Sequence, residues 1–271
     1  MDARNQPLNA FIIYGSTRGT TATIGDAIAG GMKTAGVSAT AMHLDLYKMM
    51  PNRLPSVDIL GIGSPVYFLR EARYITEFIA GLPPLEGKKV FLYCTTGMNR
   101  IGDTLQRLHG LLSERGAVVV GAEKFASAMS YLPYRKRKLG NLEHLPDETV
   151  LTAARSFGAR MAQAPKLAPM AVPPATLATR LKSKLLTSRT FRRALFPGIE
   201  IIREACTGYG SCISRCPFQG LDRLDGESIP FVTDACIQCL QCLDFCPRAA
   251  IKVDTPFKEW LSAFSYRLGI H

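Results

Sequence analysis

The sequence predicts an α/β protein, a doubly wound sheet of five parallel strands followed by a small α+β unit built around cysteines. Three observations carry that expectation. Five short apolar runs alternate with helical patterns through residue 163, a proline-rich stretch then breaks the pattern, and seven of the eight cysteines fall between Cys206 and Cys246. Parallel strands covered on both faces read as continuous apolar runs, which is the form these five take.

The elements follow in order. Ala10–Tyr14 is an apolar run ending at Gly15. Thr21–Ala35 places Ile24, Ala27, Ile28 and Met32 at helical spacing and ends at Gly36, a glycine cap. Val37–Leu44 reads as a strand, Val57–Ile62 as a buried strand and Tyr74–Ala80 as a helix. Lys89–Cys94 is a strand, Ile101–Glu114 a helix, Ala117–Ala122 a strand and Asp147–Ala162 a closing helix. Prolines 165, 169, 173 and 174 then mark a domain boundary, and Arg180–Arg193 is basic. The expected domains are 1–163, a basic Pro/Ala-rich linker with a helix over 164–199, the cysteine unit over 200–254, and a C-terminal helix over 255–271. That last helix carries Phe257, Trp260, Leu261 and Phe264 at helical spacing.

Composition limits the function classes. Hydrophobic residues are 47% and charged residues 20% of the 271, values of a folded domain rather than a disordered or supercharged chain. No apolar run reaches the roughly 18 residues of a membrane helix, and the N-terminus has no secretory pattern, so a cytoplasmic address is expected. The formal charge is +11. Residues 164–205 carry 8 Lys/Arg against 2 Asp/Glu, so this short stretch holds over half of the excess. In a reducing compartment, clustered cysteines point to metal rather than to disulfides.

The cysteine region is an internal repeat. Cys206, Cys212, Cys216 and Pro217 recur 30 residues later as Cys236, Cys242, Cys246 and Pro247. The second copy, Cys236-x-x-Cys239-x-x-Cys242-x-x-x-Cys246-Pro247, is the spacing that binds cubane iron-sulfur clusters. Three thiolates on one tight loop wrap three irons, and the fourth cysteine ligates the cluster of the other repeat. The crossed pattern assigns Cys216, Cys236, Cys239 and Cys242 to one complete 4Fe-4S cluster. Zinc sites usually use separated Cys-x-x-Cys pairs, a different arrangement. In the first copy Tyr209 stands where the second ligand belongs. The other site therefore offers Cys206, Cys212 and Cys246, enough for a 3Fe-4S cluster or for a 4Fe-4S cluster whose fourth iron takes water, Tyr209 or a partner's ligand. The alternative is an empty site with Tyr209 packed.

After the first strand, Gly15-Ser16-Thr17-Arg18-Gly19-Thr20-Thr21 opens a helix. Free backbone donors and the dipole at a helix N-terminus favour an anion, which makes this loop a phosphate cradle, although such a loop also serves as a plain cap. A five-stranded sheet of order 2-1-3-4-5 has its ligand crevice between strands one and three. Ser64-Pro65-Val66-Tyr67-Phe68 and Thr95-Thr96-Gly97 then line that crevice.

Through these loops, residues 8–163 resemble flavodoxin, and residues 200–254 resemble a bacterial two-cluster ferredoxin. Together they resemble the flavodoxin-ferredoxin fusion proteins of the EFR-type electron-transfer family. The resemblance implies non-covalent FMN with its phosphate on Ser16–Thr21 and Tyr67 or Phe68 against the ring. It also implies cubane clusters and electron transfer between the two. Arg18 and Tyr209 depart from the family's patterns, Arg18 in a way compatible with the phosphate.

No Gly-x-Gly-x-x-Gly fingerprint follows a strand, and His43, His109, His144 and His271 lack ligand spacing. The chemistry is thus expected in the cofactors, with electrons passed to a protein partner bearing an acidic docking face. Two other readings stand beside it. One is an FMN-dependent reductase of a small acceptor; the other is a nucleic-acid binder with a structural cluster, motivated by Arg135–Lys138 and residues 180–193. These basic stretches lack the interleaved aromatics of single-strand platforms.

Overall fold

The computed structural model describes residues 7–50, 54, 56–138 and 143–254. The expected C-terminal helix over 255–271 lies outside the described residues. Described residues up to Ala128, with His144–Arg180, form one unit; the described part of Met129–Glu143, with residues from Leu181 on, forms the other.

The first unit is built on β1 (Asn9–Tyr14), β2 (Ser38–His43), β3 (Ile59–Tyr67), the short β4 (Arg70–Glu71), β5 (Lys89–Thr96) and β6 (Val118–Ala126). The five long strands pair in parallel in the order β2-β1-β3-β5-β6, which is the flavodoxin-like order. Interleaved are α1 (Thr20–Thr34), α2 (Leu44–Lys48), α3 (Arg73–Ala80), α4 (Thr104–Ser113) and α6 (Glu148–Met161), while α5 (Leu132–Lys136) falls in the second unit. Each long strand lies where an apolar run predicts it. Beyond the expected Ile62, β3 runs on through Val66 and Tyr67, residues that favour extended backbone, and β4 pairs back against it at Val66–Glu71 and Tyr67–Arg70. The expected loop over Gly63–Phe68 is therefore a strand end and a tight hairpin.

One core lies between the sheet and the pair α1 and α6, with Ile12, Ile24, Ile28, Phe91, Tyr93 and Phe157 fully or nearly enclosed. The two helices approach through glycines. A β-carbon on Gly158 would sit 2.1 Å from the Ile28 carbonyl oxygen, and one on Gly31 would sit 1.9 Å from that of Arg155. Backbone cannot yield as a side-chain tip can, so Gly158→Ala is expected to destabilise this unit by about 3 kcal/mol, read as a lower denaturation midpoint of the far-UV signal.

Two stretches fall on unexpected sides. The proline-rich run packs with the first unit rather than forming a linker. Lys89 Nζ donates to the Leu167 carbonyl (3.1 Å), Met170 N–H to that of Val119 (2.8 Å) and Gln106 Nε2 to that of Pro173 (3.2 Å). Residues 129–138, expected in the first domain, go with the second unit instead. There Arg135 pairs with Asp244 at 2.6 Å and the Tyr131 ring meets Phe196 edge-on at 6.2 Å. These attachments are made by backbone acceptors and single side chains, which leave no periodic trace in sequence.

The second unit repeats itself in three dimensions. Its strands are β7 (Ile199–Ile201), β8 (Leu221–Asp222), β9 (Phe231–Val232) and β10 (Ile251–Val253), with one-turn helices α9 (Ser211–Ser214) and α10 (Cys242–Phe245). β7 pairs with β10 and β8 with β9, both antiparallel, so the first strand of each copy joins the last strand of the other. α7 (Leu177–Thr187) and α8 (Arg189–Leu195) precede them.

Candidate functional site

The cysteine repeat is expressed in the backbone. Positive φ occurs at Gly208, Gly210 and Gln219 in the first copy and at Gln238, Leu240 and Ala249 in the second, three pairs at the sequence offset. Left-handed residues turn successive N–H groups inward, and such nests bind anions. The N–H of Gly220 points at the Cys216 sulfur and that of Ala250 at the Cys246 sulfur, both at 3.2 Å, while Gln238 N–H reaches Cys236 at 3.4 Å.

Cys216 comes from the first copy and Cys236, Cys239 and Cys242 from the second, and all four line one pocket together with Phe218, Leu221, Leu240 and Phe245. Cys212 lines the same pocket, so thiols of both copies meet there. Burial pushes the Cys239 thiol up to about 12, helped by Cys216 and Cys236. It raises Cys242 too, with Cys239, Cys236, Cys216 and Cys212 adding to the shift. Cys236, Cys239 and Cys242, all raised by burial, resist ionisation until cations arrive; iron would supply that charge, and the N–H donors the rest. The donor set therefore fits a cluster. Cys212 is raised by burial and by Cys246 and Cys206, so those three also stand together. Tyr209, between Gly208 and Gly210, is 76% exposed, which excludes the expectation that it is a packed side chain.

Residues 198–247 match the family model described as a 4Fe-4S dicluster domain. The second unit carries a 4Fe-4S dicluster ferredoxin domain. No protein among the curated ones matches the chain. Among solved structures, an archaeal flavodoxin is 17% identical over 58% of this chain and 97% of its own, with a TM-score of 0.44. Megasphaera elsdenii flavodoxin is 20% identical over 56% and 98%, at 0.41. Rubredoxin oxygen:oxidoreductase from Desulfovibrio gigas is 15% identical over 60% of this chain and 38% of its own, at 0.46.

Sequence reasoning missed a role for α8 in this ferredoxin domain. Arg189 and Arg193 both pair with Asp234, and Arg192, 8% exposed, donates to the Thr187 carbonyl. Burial lowers the Arg192 pKa while the neighbouring Cys236 raises it. A basic run that reads as an outward face thus partly serves the cluster site. A buried cation stabilises the more negative reduced cluster. Arg192→Met is therefore expected to lower the potential of the complete cluster by on the order of 60 mV, about 1.4 kcal/mol for one electron, in a redox titration followed by EPR.

In the flavodoxin-like unit the three predicted loops converge at the C-terminal end of the sheet. The Thr17 and Tyr67 hydroxyls are 3.0 Å apart, and those of Thr21 and Thr95 2.8 Å apart. Gly19 is left-handed (φ 86°) and caps α1 with no side-chain bond, and the first turn holds no acid. Ser16, Thr17 and Thr20 are partly exposed and Arg18 is exposed. Other predicted residues are occupied by the scaffold. Ser64 Oγ donates to the Pro65 carbonyl and accepts from Ala72 N–H, and Thr96 Oγ1 donates to the Arg100 carbonyl. Pro65, Val66, Tyr67, Phe68 and Gly97 are half-buried at the rim. Phe68 and Leu69 (φ 50° and 63°) make the β3–β4 turn and Asn99 (φ 52°) lies in the loop after β5, so left-handed non-glycine backbone gathers on these rim loops. Arg107–Glu71 (2.8 Å) and Arg70–Asp103 (3.2 Å) brace them from beneath. Cys94 is fully buried with its thiol pushed up to about 12, an inert core residue.

Proposed function

We propose that this chain is an electron-transfer flavo-iron-sulfur protein. FMN sits in the crevice of the first unit. Its phosphate lies on Ser16–Thr21 and its ring against Tyr67 or Phe68, with Thr95–Gly97 at the ring's edge. A complete 4Fe-4S cluster is held by Cys216, Cys236, Cys239 and Cys242, and a second cluster by Cys206, Cys212 and Cys246. The observation that carries this reading is the pocket lined by thiols of both repeats, Cys212 and Cys216 of the first and Cys236, Cys239 and Cys242 of the second, in a chain whose other unit has the flavodoxin-like strand order.

FMN fits the crevice for a physical reason. An uncapped helix start with hydroxyls, an arginine and no acid favours a phosphate dianion. Bound there, FMN supplies the exchange of one or two electrons. The chain's own residues then hold the phosphate, fix the rim loops and keep water from the ring. Electrons leave to a protein partner with an acidic face, for which the second unit offers Lys136, Lys138 and Lys184 as exposed cations.

Flavin and iron analysis of the full-length protein purified without oxygen tests this directly. The expected result is about one flavin with seven or eight irons per chain. Iron without flavin would reduce the chain to a ferredoxin with an empty nucleotide crevice.

A further inference from the structure

The first cysteine copy keeps the ligand-loop backbone but not the ligand. Residue 209 lies between two left-handed residues as Cys239 does, since Gly208 and Gly210 (φ 70° and 80°) match Gln238 and Leu240 (φ 58° and 60°). A turn follows each in the same way, with Ile213 N–H donating to the Gly210 carbonyl at 3.0 Å and Leu243 N–H to that of Leu240 at 3.3 Å. The side chains then part company. Leu240 is buried and Cys239 lines the cluster pocket, whereas Tyr209 stands 76% exposed. Gly210 has space beside it where Leu240 covers the other copy, because a β-carbon there would meet only the Gly208 carbonyl oxygen at 3.9 Å.

We propose that Tyr209 is not a ligand and that the Cys206/Cys212/Cys246 site is a ligand-exchange site. Its fourth corner opens to solvent and accepts a thiolate from outside the chain. The class of ligand follows from the repeat, since the same backbone position in the other copy presents a thiol. This rests on the reading that the three-cysteine site holds a cluster. Filling the corner balances without an added electron: a one-electron-reduced 3Fe-4S cluster takes up one ferrous ion to give a 4Fe-4S cluster at the 2+ level. An incoming thiol then binds as thiolate and releases its proton to solvent.

The test uses the full-length protein with both clusters reconstituted. Ferrous iron is added to the reduced protein, and EPR and Mössbauer spectra are followed during titration with 2-mercaptoethanol and, separately, with a peptide bearing one cysteine. The expected result is that one iron changes its spectrum with saturation in wild type and in Tyr209→Phe, while Tyr209→Cys binds the iron permanently and ignores the thiols. A response to 2-mercaptoethanol identifies a free thiol as sufficient; a response to the peptide alone identifies a partner's cysteine. A fourth iron that ignores both thiols in wild type, or that is lost in Tyr209→Phe, overturns the open corner while leaving the cluster reading intact. About four irons per chain, with no second signal, overturns that reading and the corner with it.

Discussion

Replacing Cys236 and Cys242 together by alanine is expected to remove the complete cluster, read as a loss of about four irons per chain, and with it most of the stability of the ferredoxin domain. Two substitutions are needed because removing one thiol leaves three, a number that suffices for a 3Fe-4S cluster. With only Cys216 and Cys239 left of the proposed four ligands, no 4Fe-4S cluster is expected to form. The structural cost follows from how little else holds this unit. The buried side chains around the cysteines are few, among them Phe218, Leu221, Leu240 and Ile251, and the strands are two or three residues long. So small a core needs metal, and the binding energy of the cluster becomes folding energy. Thermal melting followed by the cluster's visible absorbance and by far-UV signal should show the second unit unfolded at temperatures where the flavodoxin-like unit persists. Cys94→Ser, by contrast, should leave the iron content unchanged, since that thiol lies in the core of the other unit.

Thr20→Asp separates FMN binding from folding. Thr20 is the first residue of α1, and no acid lies in that helix's first turn. A carboxylate at this position complements the helix dipole and should stabilise the apo protein by about 0.5 kcal/mol. The same charge beside the proposed phosphate repels it. FMN affinity is expected to fall on the order of 100-fold, about 2.7 kcal/mol, while the apo melting temperature holds or rises. Fluorescence titration of the apo protein with FMN checks the first effect and calorimetry the second. Unchanged FMN affinity would move the phosphate away from this loop.

Much of the molecule was legible in sequence because its signals are local. Buried parallel strands announce themselves as apolar runs, and the iron-sulfur domain by its cysteine spacing, so the strand order and the dicluster domain were both predictable. What escaped depends on contacts distant in sequence. The continuation of β3 into a hairpin needs Glu71 and Arg70 to pair back onto Val66 and Tyr67. The docking of residues 164–173 needs carbonyl acceptors at Leu167 and Pro173, which carry no side-chain signature. Arg192 reads as one more exposed cation until α8 is seen to bury it. The exposure of Tyr209 was equally hidden, although the two glycines flanking it mark the turn that presents it. The basic balance also changes meaning. On the proposed loading, two clusters and an FMN phosphate would each bring about two negative charges, taking the formal +11 to roughly +5.

The central claim is that electrons move within one chain between flavin and clusters. Stopped-flow reduction of the fully loaded protein, with flavin and cluster absorbance followed separately, tests it most directly. The account predicts a phase in which one chromophore is oxidised as the other is reduced, at a rate unchanged over a tenfold range of protein concentration. A rate proportional to protein concentration, or chromophores that reduce independently with no exchange, would contradict it.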